Sequence, residues 1–269
     1  MSESGRTPVA ITIAGSDSGG GAGIQADLKA FARAGVHGTS AITAITAQST
    51  VGVDAVHSVP PDVIVAQVRA VADDIGIDAV KVGMLANTET IDAVVDALGL
   101  TGEAPVVVDP VMVAESGAVL LDPGARRALV ERLLPRATVA TPNVLEARVL
   151  TELGEDASQE DLARAVRALG VDVAIVTGGH TADGADVLVD GEGEALRIAG
   201  PLHPRGASHG SGCTHSSLIA AQLASGVGVR DAARAARRLT AQAVERGLRE
   251  IGAGAGPVDV LGRSGEPLA

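Results

Sequence analysis

The run AVKVGMLANTETIDAVVDALGLTGEAPVVVD, residues 79–109, decides the fold. Its two ends, Ala79-Val80-Lys81-Val82-Gly83-Met84 and Pro105-Val106-Val107-Val108-Asp109, are short apolar stretches rich in β-branched residues, and each predicts a buried strand. Between them, Thr88–Leu98 predicts a helix with Ile91, Val94, Val95 and Leu98 on its inner face. The same alternation runs outward in both directions. Strands are expected at Val9–Ala14, around Ser40–Thr46, at Val139–Thr141 and at Val173–Thr177. Helices are expected at Ile24–Ala34, from Pro60-Pro61-Asp62, at Gly124–Leu134, after the capping box Ser158-Gln159-Glu160-Asp161, at Gly210–Ser225 and at Val229–Ile251. Asp186–Gly191 and Glu194–Ala199 predict an antiparallel hairpin near a sheet edge. Apolar strands alternating with amphipathic helices call for an α/β protein of three layers, a mostly parallel central sheet flanked by helices on both faces. The expected organisation is a single domain over residues 1–256, with a loosely held tail over 257–269.

In such sheets ligands collect beyond the C-terminal ends of the strands. That rule gathers Gly15, Met84, Asp109, Asn143 and Thr177 at one rim, because each sits at or just past a strand end. The helix opening at Gly210 can point its N-terminus at the same rim. There, Ser208-His209-Gly210-Ser211-Gly212-Cys213-Thr214 forms a glycine turn leading into a helix, a place where unpaired N–H groups and the helix dipole suit a phosphate or a developing anion. Cys213 is the chain's single cysteine. Placed at a helix N-terminus, its thiol is expected to lose its proton more easily.

Composition removes several classes of function. The chain of 269 residues carries a formal charge of −12, has no Trp or Tyr, and has Phe31 as its one aromatic residue. Nucleic-acid binding needs a basic face and usually aromatic platforms, so it is excluded as an expectation. One cysteine cannot form an internal disulfide, which fits a reducing cytoplasm. No signal segment and no apolar run of membrane-spanning length is present. The histidines lack metal spacing, so zinc is not expected; His203 and His209 fall in loops.

The stretch Gly15–Gly23 holds five glycines. It has neither the third glycine of a dinucleotide fingerprint nor the Gly-Lys-Ser/Thr of a P-loop, which weakens a nicotinamide-dependent dehydrogenase; a substrate-covering loop fits better. Asp109 ends a strand, where a carboxylate suits Mg²⁺. Asn143 and Glu146 share one face at the first turn of a helix, either as ligands or as a helix cap. Thr177-Gly178-Gly179 would let a nucleotide approach the backbone closely.

Six ordered motifs carry a resemblance: Ile13–Lys29, Ile45-Thr46-Ala47-Gln48, Val80–Leu85, Val108–Met112, Thr141–Glu146 and His209–Thr214. Together the chain resembles the hydroxymethylpyrimidine/phosphomethylpyrimidine kinases of the ribokinase-like superfamily from about Pro8 to Gly247. The resemblance implies a ribokinase-like fold and ATP-dependent phosphorylation of 4-amino-5-hydroxymethyl-2-methylpyrimidine, then of its monophosphate, for thiamine biosynthesis. It implies that Gln48 hydrogen-bonds the pyrimidine and that Gly15, Ala22, Asp27, Met84 and Val111 line its pocket. It implies that Gly210, Ser211 and Gly212 form the anion hole and that Cys213 is the general base. Asp109 and Glu146 would hold Mg²⁺, and Asn143, Glu146, Thr177 and Gly179 would serve ATP. A homodimer is implied as well. The sequence departs from the family pattern with Ser208 and Ser211 in place of Thr, Ala207 in place of Asn, Thr177 in place of Lys, and His215 in place of an apolar residue. A pyridoxal kinase built on the same framework, or a non-catalytic ligand-binding protein, remains as an alternative.

Overall fold

The computed structural model describes residues 5–262 apart from positions 180 and 182. In chain order it contains β1 (Val9–Ala14), α1 (Gly23–Arg33), β2 (His37–Ile42), β3 (Ala44–Gln48), β4 (Val53–Ser58), α2 (Pro61–Asp74), β5 (Ala79–Val82), α3 (Thr88–Leu98), β6 (Val106–Val108), α4 (Arg126–Ala128), β7 (Val139–Ala140), α5 (Val144–Thr151), α6 (Gln159–Ala168), β8 (Val173–Val176), β9 (Asp186–Val189), β10 (Ala195–Ile198), α7 (Ser211–Ala224) and α8 (Val229–Glu245). Eight strands form one sheet in the order β10-β9-β8-β7-β6-β5-β1-β2, and β3 pairs with β4 as a separate ribbon. All pairings among β2, β1, β5, β6, β7 and β8 are parallel, and β9 and β10 add the expected antiparallel edge. This is the three-layer, mostly parallel α/β architecture predicted from residues 79–109.

The pleat sorts side chains to opposite faces. Ile11, Ile13, Val80, Val82, Val106 and Val108 pack with Ile64, Ile91, Leu133 and Leu162 under α2, α3, α5 and α6. Ala10, Val107, Val139, Ile175 and Leu188 face the other way, against Phe31 of α1, Leu218 of α7 and Ala233 of α8. With almost no aromatic residues, alanine lets the helices approach closely: Ala220, Ala221, Ala232, Ala233 and Ala236 are all fully buried. On this second face the neighbouring strands β1 and β5 carry polar residues, Thr12 and Lys81, and both are fully buried.

Three local expectations need correction, and one further strand was not foreseen. The strand expected around Ser40–Thr46 is split between β2 and β3 at the buried Thr43, whose Oγ1 donates to the Met84 carbonyl at 2.7 Å as the chain leaves the sheet. Residues 53–58, to which the sequence pattern assigns no element, pair with β3. The expected helix Gly124–Leu134 is a run of 3₁₀, α and π turns from Pro123 to Arg136, with glycine and proline at its ends. The C-terminal helix ends at Glu245.

The loosely held tail expected from residue 257 is corrected too. Val258, Asp259 and Val260 are buried, and the Val258 N–H donates to the His209 carbonyl at 3.1 Å. Val258 and Val260 add apolar surface to the layer over α7 and α8, which supplies the reason. Residues 263–269 lie outside the described part.

Candidate active site

The site grows from the ends of β1, β3, β5, β6 and β7 and from the start of α7. After β1 the chain must turn sharply, because the Gly15 N–H donates to the Met84 carbonyl at 3.2 Å and a Cβ on Gly15 would lie 2.7 Å from the Met84 sulfur. A larger residue here would have to push the Met84 side chain aside. Asp17 then organises the glycine loop. Its carboxylate accepts from the N–H groups of Gly19, Gly21 and Ala22 at 2.8, 2.9 and 2.7 Å, and lies 2.9 Å from His209 Nε2. Burial alone would raise the Asp17 pKa, but the His209 hydrogen bond and the loop N–H groups hold it below the usual value. Gln48 stands beside this loop at the end of β3, where Ser18 Oγ donates to its carbonyl and accepts from its N–H at 2.6 and 2.7 Å.

Gly210 caps α7 in a left-handed conformation, φ +82°, and a Cβ there would meet the Gly21 carbonyl oxygen. The phosphate-suited turn and the glycine loop are therefore packed backbone against backbone. Gly210→Ala should cost at least the roughly 1–3 kcal/mol of a strained backbone position, read as a lower Tm, and should part the two loops. The Ser211 N–H already donates to the Ser208 carbonyl at 2.9 Å, so the expected contribution of that N–H is taken up within the turn. Helix geometry leaves the N–H groups of Gly212 and Cys213 pointing out of the first turn.

Beneath α7 lies a buried charge cluster. Lys81 Nζ is 3.0 Å from Asp27 Oδ1 and 3.9 Å from Asp109 Oδ2, with no exposed side-chain surface on Lys81 or Asp27. Thr12 Oγ1 and Ser217 Oγ donate to Asp27 at 2.6 and 2.7 Å, and Ser216 Oγ donates to Asp109 at 3.0 Å. Asp27, expected to line the pocket, is instead turned inward and saturated by these partners. Burial opposes the charge of Lys81, but Asp27, Cys213 and Asp109 outweigh it and raise its pKa.

The expectation of an easily ionised Cys213 is corrected. Burial pushes its thiol up to about 12; Lys81 pulls it down, while Asp109 and Asp27 push it further up and the Gly23 N–H helps the thiolate. A helix terminus contributes about 0.3–1 kcal/mol, up to ~2 in partly buried cases. Desolvation can move a buried group by about 3–5 pKa units, or several kcal/mol, so burial wins. In this state Cys213 is a protonated thiol at neutral pH.

Asp109 and Glu146 face each other across the rim. Burial raises the Asp109 pKa, against the opposing pull of Lys81. Burial and the charge of Asp109 push Glu146 up to about 8. Asn143 and Glu146 form a reciprocal capping box at the start of α5, Glu146 Oε2 accepting from the Asn143 N–H and Asn143 Oδ1 from the Glu146 N–H, both at 2.9 Å. The helix-cap reading of this pair thus holds structurally, and it leaves the Glu146 carboxyl half-buried at the rim. Thr177 pairs with Asn143 in an isolated parallel bridge, Gly178 is tied to Asp186 Oδ1 at 2.9 Å, and Gly179 is exposed. Val111 follows Asp109 and is half-buried. Among the departures, Ala207 is buried against Gly247, and His215 Nε2 lies 3.1 Å from Asp186 Oδ2.

Sequence reasoning missed Asp17, Lys81 and His209. Asp17 was part of the quoted glycine motif, and its place two and four residues before glycines is the signal that could have marked it as a loop organiser. Lys81 gave a signal as a lone charge inside an apolar strand.

A mostly parallel sheet with a rim that offers a helix N-terminus, a thiol and two carboxylates is an arrangement suited to phosphoryl transfer. A family model described as phosphomethylpyrimidine kinase matches residues 17–259, and the chain belongs to that family. It is 47% identical over 258 residues to a hydroxymethylpyrimidine/phosphomethylpyrimidine kinase of Rhizobium meliloti, covering 94% of this chain and 96% of the relative. It is 45% identical to part of a thiamine biosynthesis bifunctional protein, ThiED, of Geobacter sulfurreducens, over 93% of this chain and 51% of that protein. Among solved structures it is similar to the pyridoxal kinase of Staphylococcus aureus in complex with AMP-PCP and pyridoxal, with a TM-score of 0.86 and 34% identity over 97% of this chain and 96% of the other.

Proposed function

We propose that this kinase transfers the γ-phosphoryl group of ATP to 4-amino-5-hydroxymethyl-2-methylpyrimidine and then to the monophosphate, giving the pyrophosphate for thiamine biosynthesis. The observation that carries the reading is the convergence at one rim of the Gly210–Gly212 turn, Cys213 and the Asp109/Glu146 pair, beside a loop that presents Gln48.

Each residue then has a physical task. Gln48 offers the amide that can read the ring nitrogen and amino group of the pyrimidine, with Gly15, Ala22, Met84 and Val111 as its walls. The Gly212 and Cys213 N–H groups meet the oxygens of the phosphoryl group in flight, where preorganised donors lower the barrier most. Cys213 takes the hydroxyl proton. Asn143, Glu146, Thr177 and Gly179 flank the phosphates of ATP. A groove of about 730 Å³ between the end of β10 and α8, lined in part by Pro201, Arg234, Arg238 and Gln242, can hold base and ribose. The strand β10 runs parallel to β8, which puts that groove on the rim side, and the loop 199–210 leads from it into the Gly210 turn.

The donor set at Asp109 and Glu146 fits Mg²⁺. Among the described residues no group of three or more His, Cys, Asp or Glu side chains is placed to hold a metal unaided. A cation that is bound through one or two carboxylates plus phosphate oxygens suits such a pair, and its presence would relieve the raised pKa values of both. When bound it would screen the charge on the transferring phosphates.

ADP formation and product mass, measured with the alcohol and with its monophosphate, test the proposal; no turnover of either would overturn it. Gln48→Leu should raise KM for the alcohol roughly tenfold to a hundredfold, the scale of one or two lost hydrogen bonds to a buried polar group, and leave KM for ATP unchanged. Pyridoxal is the second acceptor to assay, favoured by the likeness to the Staphylococcus aureus pyridoxal kinase, and exclusive turnover of pyridoxal would replace the pyrimidine reading. A reducing cytoplasm and a homodimer accompany the proposal. Among the described residues no helix is long and apolar enough to cross a membrane, and sedimentation of the purified protein reads the oligomeric state.

A further inference from the structure

His209 stands where three separate segments meet, and its ring is engaged on both nitrogens. Nε2 lies 2.9 Å from Asp17 Oδ2, the same oxygen that accepts from the N–H groups of Gly21 and Ala22. Nδ1 lies 3.7 Å from Glu115 Oε2. Glu115 sits at the tip of a flap formed by residues 112–121, whose two arms meet at the Val113–Val119 bridge, and Ser208 Oγ also donates to it. The His209 backbone is held by the Gly256 carbonyl and the Val258 N–H. Gly21 passes so close that a Cβ there would strike the imidazole ring.

We propose that His209 is a positioning residue whose imidazolium fastens the glycine loop, through Asp17, and the 112–121 flap, through Glu115, to the turn that opens α7. Nε2 is within hydrogen-bond distance of one carboxylate and Nδ1 within ion-pair distance of another, and the charged ring is the form that both carboxylates favour. The hydrogen bond to Asp17 and the nearby Glu115 carboxylate outweigh burial and hold the ring's pKa up at about 9. The titratable groups on the segments packed around it are Asp17 and Lys29 on the side of the glycine loop, Glu115 on the flap, Cys213 in α7 and Asp259 on the C-terminal segment. Asp17 and Glu115 lie within ion-pair distance of the ring.

The glycine loop and the segment that follows Val111 thereby share one anchor, and the anchor is adjacent in sequence to the phosphoryl-binding turn. Loss of it should be felt in acceptor capture before it is felt in the chemical step. The kinetic part of this inference rests on the acceptor site proposed above.

The experiment compares Glu115→Gln, His209→Gln and the double variant with the unaltered full-length protein. Hydrogen exchange at neutral pH without ligands should be faster over 112–121 in both single variants, and over 15–23 in His209→Gln alone. KM for the pyrimidine alcohol should rise about tenfold in His209→Gln, the scale of a charge-assisted hydrogen bond, and several-fold in Glu115→Gln, with kcat within about threefold and KM for ATP unchanged. The double variant should be no worse than His209→Gln. Unchanged exchange in both segments would overturn the proposal. So would additive effects in the double variant, or a fall in kcat alone that tracks a lower Tm. If no acceptor is turned over at all, the functional reading fails, and the exchange measurement still decides the role of His209.

Discussion

Cys213→Ala should slow phosphorylation of the alcohol by about 10²–10⁴-fold, the usual contribution of a positioned general base. The same variant should slow phosphorylation of the monophosphate far less. An alcohol must lose a proton as it attacks, whereas the acceptor oxygen of the monophosphate is already ionised near neutral pH. The protonated state of the thiol sharpens this prediction. Burial, Asp109 and Asp27 all favour the thiol over the thiolate, and only Lys81 and the Gly23 N–H oppose them. The alcohol rate should therefore climb with pH from neutral toward 9, because the active thiolate is the minority form throughout. The monophosphate rate should be flat over that range. Rates for both acceptors at several pH values, in the unaltered protein and in Cys213→Ala, check the assignment. Equal losses in the two steps, or a flat profile for the alcohol, would sink the role of Cys213 as base.

The way this site is built shows which parts of it could be read from the chain and which could not. The strand–helix–strand pattern of residues 79–109 is a local signal, and with it came the layers, the parallel sheet and the common rim of Gly15, Met84, Asp109, Asn143 and Thr177. The capping box of Asn143 and Glu146 is equally local, since its partners lie three residues apart. Where a residue's partner is remote, the sequence was silent. Asp27 and Lys81 are 54 residues apart, and periodicity places each on a buried face without saying that the two faces are the same one. Hence Asp27 looked like a pocket residue and is in fact a counter-ion in the core. The Cys213 reading failed for a related reason. A helix start can be seen in Gly210-Ser211-Gly212, but the desolvation that dominates the thiol depends on α1 and β5 closing over it. The ribbon β3–β4 was half seen, because β4 is Val53-Asp54-Ala55-Val56-His57-Ser58, four of them exposed, and has no clean alternation to announce it. The buried Val258 and Val260 sit beyond a glycine-rich spacer, a composition that suggests a loose tail whatever follows it.

Lys81→Met should be the most damaging single change to stability. Methionine nearly fills the volume, so no large cavity forms, and the loss is electrostatic. Asp27 and Asp109 would be left as buried carboxylates facing each other without a cation, and breaking a buried ion pair from one side costs about 3–5 kcal/mol. For a chain of this size each kcal/mol shifts Tm by roughly 2–4 °C, so a fall of about 6–20 °C is expected. The sign with pH follows from the charges. In the variant the two carboxylates are penalised when ionised, so their pKa values rise and stability improves as pH falls into the range where one of them is protonated. The unaltered protein keeps its cation there, so its gain should be the smaller one from Asp109 and Glu146, whose values are already raised, and the variant's gain should exceed it. The decisive comparison is the double variant Asp27→Asn with Lys81→Met, which removes both charges and leaves Thr12 and Ser217 an amide to bond. It should recover a large part of the lost Tm, while Asp27→Asn alone, which strands only part of the lysine's charge because Asp109 remains, should lose less than Lys81→Met. Thermal melts of the three variants between pH 5 and 8 give the answer. If Lys81→Met melts within a few degrees of the unaltered protein, the cluster contributes little to stability and α7 is held by its alanine packing against α1 and α8 instead.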